Sequence, residues 1–183
     1  LVAAFANDAH TIEAVTNAID IGIVDAILVG DENIIKQVCE AEKIDVNKFR
    51  IVHEPNEQNA AKKAVEIINK GEADIIMKGL VSTDKYMRAI LNKETGLMDP
   101  GAILTHITVV ENQNYHKLLI IADVAIIPQP DLKQKIAITN YLINTAKSMG
   151  IETPKVAIIA ATEQMLPDMP ACVDAAILSK MNE

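Results

Sequence analysis

The chain alternates short apolar runs with segments whose apolar residues recur every three or four positions. Runs of four to six apolar residues are too short for helices and read as strands, whereas the 3.6-residue spacing reads as amphipathic helix. Residues 1–6 give a first strand, and Asn7 or Asp8 opens a helix running towards Gly22. Ala26 to Val29 is a second strand closed by Gly30, with Asp31 as the cap of a helix from Glu32 to Glu42. Arg50 to His53 forms a third strand, and a helix from Asn56 to Lys70 places Ala61, Ala64, Val65 and Ile68 on one face before Gly71 ends it. Ile75 to Met77 reads as a buried strand, followed by a turn at Lys78-Gly79 and a helix reaching about Asn92 that Ser82, Thr83 or Asp84 can cap.

The rhythm then changes. Ile103 to Glu111 and Lys117 to Ile121 are β-rich runs around the polar stretch Asn112 to His116, which predicts an antiparallel hairpin. Ala125 to Ile127 is a short extended run closed by prolines. Asp131 caps the longest helix, Leu132 to Met149, whose Ile138, Tyr141, Leu142, Thr145 and Met149 form a core stripe. Lys155 to Ala160 reads as a further strand, and Pro170 suits the first turn of a last helix through Met181. Strands alternating with helices predict an α/β fold, a mostly parallel sheet with helices on both faces, interrupted by the hairpin. The expected domains are 1–92, a first α/β domain, and 93–183, the hairpin and the start of a second.

Half of the 183 residues are apolar, yet Phe5, Phe49, Tyr86, Tyr115 and Tyr141 are the only aromatics, so the core must be aliphatic. A net charge of −8 argues against a nucleic-acid or anionic membrane partner. No stretch approaches the roughly 18 uninterrupted apolar residues of a membrane span, and the first residues lack a signal peptide's basic flank, so a cytoplasmic location is expected. Cys39 and Cys172 show no CxxC pairing and read as reduced thiols, and the four histidines lack metal-ligand spacing. The chain opens inside a strand-like run with no initiator Met and stops directly after a helical pattern, as a piece of a longer protein would.

Ligands in such folds gather beyond the carboxyl ends of the strands. Of the residues just past each expected strand, Lys78 is the only cation. A turn handing a strand to a capped helix offers free amides and a dipole that suit an anion, so Lys78, Gly79, Ser82 and Thr83 form a candidate phosphate site. The plain alternative is an ordinary capped turn. His106, in the apolar run Ile103 to Val109, is either a proton acceptor or a histidine bonded to backbone. Glu163 either orients a ligand or is a solvated loop carboxylate. No GxGxxG, GxxxxGK[ST], HExxH or GxSxG pattern is present.

Several stretches together resemble the phosphate acetyl/butyryltransferase family, closest to its butyryltransferase branch. They are Met77-Lys78-Gly79-Leu80-Val81-Ser82-Thr83, Arg88 to Glu94 with Gly96-Leu97, Leu104-Thr105-His106 with Glu111, Asp123-Val124-Ala125, Pro130-Asp131-Leu132 with Lys135, Pro154 to Ala157, and Asp174 to Met181. The resemblance implies reversible transfer of a butyryl or similar short acyl group between coenzyme A and inorganic phosphate. It implies a two-domain fold like that of isocitrate dehydrogenases, a homodimer, coenzyme A as substrate and no cofactor or metal. It gives Lys78, Gly79, Ser82 and Thr83 to phosphate binding, His106 to catalysis as base or carbonyl donor, and Glu163 to substrate binding. The chain departs from the family at Met98, where an Arg is common, and at Ile126-Ile127-Pro128-Gln129-Pro130. The family's C-terminal third, with the Ser-Arg pair and nearby Asp that carry catalytic roles in its acetyl-transferring branch, has no counterpart before Glu183, so the fold is expected to be incomplete there and this chain to be too short for activity. The alternatives are a non-catalytic acyl-CoA- or phosphate-binding relative and a dehydrogenase on the same fold.

Overall fold

The computed structural model describes residues 1–181. The chain divides into two compact units, Leu1–Pro100 and Gly101–Glu183.

The first unit holds strands β1 (Val2–Ala4), β2 (Ala26–Gly30), β3 (Phe49–His53) and β4 (Ile76–Lys78), and helices α1 (Ala9–Asp20), α2 (Glu32–Ala41), α3 (Glu57–Asn69) and α4 (Thr83–Ile90). All four strands are parallel, in the spatial order β3-β2-β1-β4. Period-2 alternation sends Val2 and Ala4 to one face and Ala3 to the other. Val2, Ala4, Ile27 and Val29 pack with Ala60, Ala61, Ala64, Val65 and Ile67 of α3, and with Val81 and Ala89. Ala3 and Leu28 pack on the opposite face with Ile12 and Val15 of α1 and Ile35 and Cys39 of α2. The path β1-β2-β3 moves across the sheet in one direction and then returns past β1 to β4. Right-handed crossovers require such a reversal to move its helix to the other face, which is where α3 lies. The core is aliphatic, with Phe49 its single buried aromatic among the described residues.

Local chemistry explains the helix starts. Asp8 accepts from the Thr11 amide (2.9 Å), Asp31 from Asn33 (2.9 Å) and Asn56 from Asn59 (3.0 Å), so each side chain satisfies an orphan first-turn donor. The expected burial of β4 is corrected. It is one of the two edge strands, its residues are half-buried or exposed, and Ile75 just before it is 50% exposed.

The second unit holds β5 (Thr108–Asn112), β6 (Tyr115–Ile121), α5 (Leu132–Ser148) and α6 (Pro170–Lys180). β5 and β6 pair antiparallel across a two-residue turn at Gln113-Asn114, tighter than the polar stretch predicted. The Asn112 side chain accepts the Asn114 amide (2.8 Å) and closes the turn, while Tyr115 and His116 remain in the strand because both faces there meet solvent. Asp131 and Gln134 form a reciprocal capping box at the start of α5. The expected stripe on that helix is only half realised: Ile138 is buried, Tyr141, Leu142 and Thr145 are half-buried, and Met149 is exposed. Lys135 and Asp174 pin α5 to α6 at 2.5 Å.

Three expected extended runs in this unit are not strands. Residues 103–107 precede β5 without pairing, 124–126 bend, and 155–160 are irregular, with Ile159 84% exposed. Strand-like composition needs a neighbouring strand to complete a ladder, and these runs find none among the described residues.

Candidate functional site

The sheet reverses direction between β1 and β4, where α1 leaves on one face and α4 on the other. Such a switch point opens a crevice at the carboxyl ends of the two strands. The two strand ends are closely fitted. Gly79 donates its amide to Ala4 O (3.0 Å) and Leu80 donates to Phe5 O (2.9 Å), carrying the ladder past the formal end of β4. A β-carbon on Gly79 would lie 2.8 Å from Ala4 O and 2.7 Å from Phe5 O, so any side chain there would force backbone apart. Phe5 has φ of 59°, a left-handed conformation that non-glycine residues rarely adopt and that is found where a site fixes the chain. Asn7 ties the crevice to the next strand end by accepting the Asp31 amide at 2.9 Å.

Lys78 stands at this switch point, exposed, with Nζ 3.5 Å from Gly79 O and paired with no carboxylate among the described residues. Ser82 is the N-cap residue of α4 but its hydroxyl makes no capping bond; Ser82 and Thr83 are both exposed. The expectation of a free amide set at this helix start is corrected at Ser82. Glu57, the first residue of α3, accepts the Ser82 amide at 2.5 Å and pairs with Lys85. A carboxylate from the chain thus already serves the positive end of α4. The Ser82 hydroxyl also faces the Glu57 carboxylate, so the Lys78 ammonium and the Thr83 hydroxyl are the side-chain donors left exposed on this turn among the described residues, while Gly79 shapes it.

The hydrogen bond from Lys85, followed by that from the Ser82 amide, lowers the Glu57 pKa. A carboxyl depressed in the folded state stabilises above its unfolded value, about 4.3, and loses that contribution as pH falls through the lower folded value. Glu57→Gln is therefore expected to flatten the acid side of the Tm profile below about pH 4.5 while changing the slope near neutrality little. Thermal melts from pH 2 to 8 check it; an acid slope identical to that of the parent would remove Glu57 from the linkage.

The remaining candidates lie in the second unit. His106 is exposed in the segment before β5, which corrects its expected place within a strand. Its Nε2 lies 3.4 Å from Thr108 Oγ1, and its backbone amide donates to Asp123 Oδ2 at 3.2 Å. Asp123 Oδ2 also accepts the Thr105 hydroxyl (2.6 Å), and Oδ1 accepts the amides of Ala125 (2.8 Å) and Ile126 (2.7 Å). Partial burial pushes this carboxyl up, but the hydrogen bonds from Thr105, Ile126, Ala125 and His106 outweigh it and hold the pKa well below the carboxylate range. Glu163 is exposed in a bend, not at a strand end as expected. No group of three or more metal-ligating side chains occurs among the described residues, and no helix there is long and apolar enough to cross a membrane.

Sequence reasoning therefore located the β4-α4 turn but missed Glu57, 25 positions before Ser82, for which no local signal exists. Asp123 was noted as a residue of the family-like stretch, and its grip on two loops becomes visible only in three dimensions.

A parallel sheet with helices on both faces and a reversal of strand order between β1 and β4 defines an α/β protein of the doubly wound class. Comparison with known proteins makes this specific. Residues 32–183 match the model of the phosphate acetyl/butaryl transferase family, and the chain belongs to that family. It is 47% identical over 180 residues to the phosphate butyryltransferase of Clostridium acetobutylicum, covering 98% of this chain and 60% of the relative. It is 37% identical to the phosphate acetyltransferase of Thermotoga maritima, over 100% of this chain and 62% of that protein. The chain thus spans about three fifths of the length of these relatives. A branched-chain phosphotransacylase from Enterococcus faecalis shares the fold, with a TM-score of 0.83 at 24% identity, over 98% of this chain and 63% of that one.

Proposed function

We propose that the protein to which this chain belongs transfers a short acyl group, butyryl or similar, reversibly between coenzyme A and inorganic phosphate. The observation that carries this reading is Lys78, exposed and without a carboxylate partner among the described residues at the switch point, in a chain 47% identical to a phosphate butyryltransferase. In this reading the thiolate of coenzyme A attacks the carbonyl of an acyl phosphate. The new carbon–sulfur bond replaces the carbon–oxygen bond to phosphate, which departs as the anion; the reverse direction consumes phosphate and thioester. A free thiol has a pKa of about 8.5, so a base must favour the thiolate near neutral pH, and His106 is assigned that role or the donation of a hydrogen bond to the carbonyl. Lys78, with the Ser82 and Thr83 hydroxyls, holds the phosphate group on the turn shaped by Gly79, where an ammonium and oriented donors stabilise departing charge. Glu163 orients the substrate through its free carboxylate. Coenzyme A enters as substrate, no metal or redox cofactor takes part, and the working form is a cytoplasmic homodimer.

The test is a thiol-trapping assay on the whole protein with acetyl-, butyryl- and branched acyl-CoA. Phosphate-dependent release of free thiol is the expected result. Binding of acyl-CoA or phosphate without turnover would overturn the reading in favour of a non-catalytic relative.

A further inference from the structure

Asp123 has no role in the reading above, yet its carboxylate has all the marks of a fixed joint. One oxygen accepts the amides of Ala125 and Ile126, turning the chain back on itself after β6. The other accepts the Thr105 hydroxyl at 2.6 Å and the His106 amide at 3.2 Å, on a segment that no strand holds. Residues 103–107 belong to no strand or helix, and among the described residues these two bonds tie the His106 backbone to the chain just past β6. The imidazole itself is tethered only weakly, at 3.4 Å from Thr108 Oγ1. A proton acceptor must stand within hydrogen-bond reach of the proton it takes, and a displacement of about 1 Å can lower a rate a hundredfold. We propose that Asp123 is the positioning residue that sets the place of His106 for proton transfer, an inference that rests on the role given to His106 above.

Two arms test it. Amide hydrogen exchange on this chain reads the anchor directly: the His106 amide is expected to be protected, and Asp123→Asn, whose NH2 group cannot accept, to release it. Kinetics on the whole protein read the consequence. Asp123→Asn is expected to lower kcat by about ten- to a hundredfold with little change in the phosphate KM, and to lower it no further in a His106→Gln background. Thr105→Val, which removes one bond and leaves the 125–126 turn intact, gives a smaller loss and guards against simple misfolding. If His106→Gln alone leaves kcat unchanged, the base reading fails and the proposal falls with it. If His106→Gln lowers kcat but Asp123→Asn does not, or the two losses multiply, only the positioning role is overturned. A His106 amide that exchanges at the same rate in the parent and in Asp123→Asn overturns it as well.

Discussion

Replacing Lys78 by Ala is expected to raise the KM for phosphate by roughly ten- to a hundredfold. A hydrogen bond to a charged group contributes about 1.5 to 3 kcal/mol, and each 1.4 kcal/mol is a factor of about ten. The ammonium is exposed, so salt screening places the effect towards the lower end and makes it shrink as ionic strength rises. The fold should be indifferent. Among the described residues the Lys78 ammonium makes one long hydrogen bond, 3.5 Å to Gly79 O, and its ladder position opposite Ala4 depends on backbone alone. Exposed substitutions of this kind change stability by less than about 0.5 kcal/mol. Initial rates across a phosphate series, together with a thermal melt, separate binding from folding. A phosphate KM that does not move in the variant removes Lys78 from the site.

The first unit was largely legible because its information is local. Asp8, Asp31 and Asn56 stand where cap chemistry demands, and their side chains make the bonds that the sequence implies. Apolar period decides which face of α3 is buried, and Ala61, Ala64 and Val65 are buried as expected. The turn from β4 into α4 was legible from Gly79 and the Ser82 cap position, but Lys78 is the last residue of β4, opposite Ala4, and not the first residue beyond the strand. Strand order was not. That β4 returns to the flank of β1, and so is an exposed edge beside the switch point, depends on packing among all four strands. The amide at Ser82 was misread because its partner, Glu57, comes from α3 and nothing near Ser82 announces it. In the second unit, β-rich composition overstated the strands: residues 155–160 are as strand-like as β1 but have no neighbour to pair with among the described residues. Several of the unit's apolar side chains, among them Leu118, Ile159 and Met165, are correspondingly exposed.

His106→Gln is expected to have the largest effect on turnover, a loss in kcat of about a hundredfold or more, within the range that general acid–base groups contribute. Glutamine is chosen because it keeps a polar side chain of similar reach and retains hydrogen-bonding capacity while it cannot take up a proton near neutral pH. The two roles open to the imidazole thereby separate. A carbonyl donor would be partly replaced by the glutamine amide and kcat would fall only severalfold; a base would not be replaced at all. Stability should change little, because the ring is exposed, its one side-chain hydrogen-bond approach among the described residues is 3.4 Å to Thr108, and the bond to Asp123 runs through the backbone amide that glutamine also carries. The KM for phosphate should hold near the parent value, since the phosphate donors belong to the β4-α4 turn. Full kcat in the variant would take His106 out of the chemistry, and the thiolate would then have to be formed by another group or by solvent.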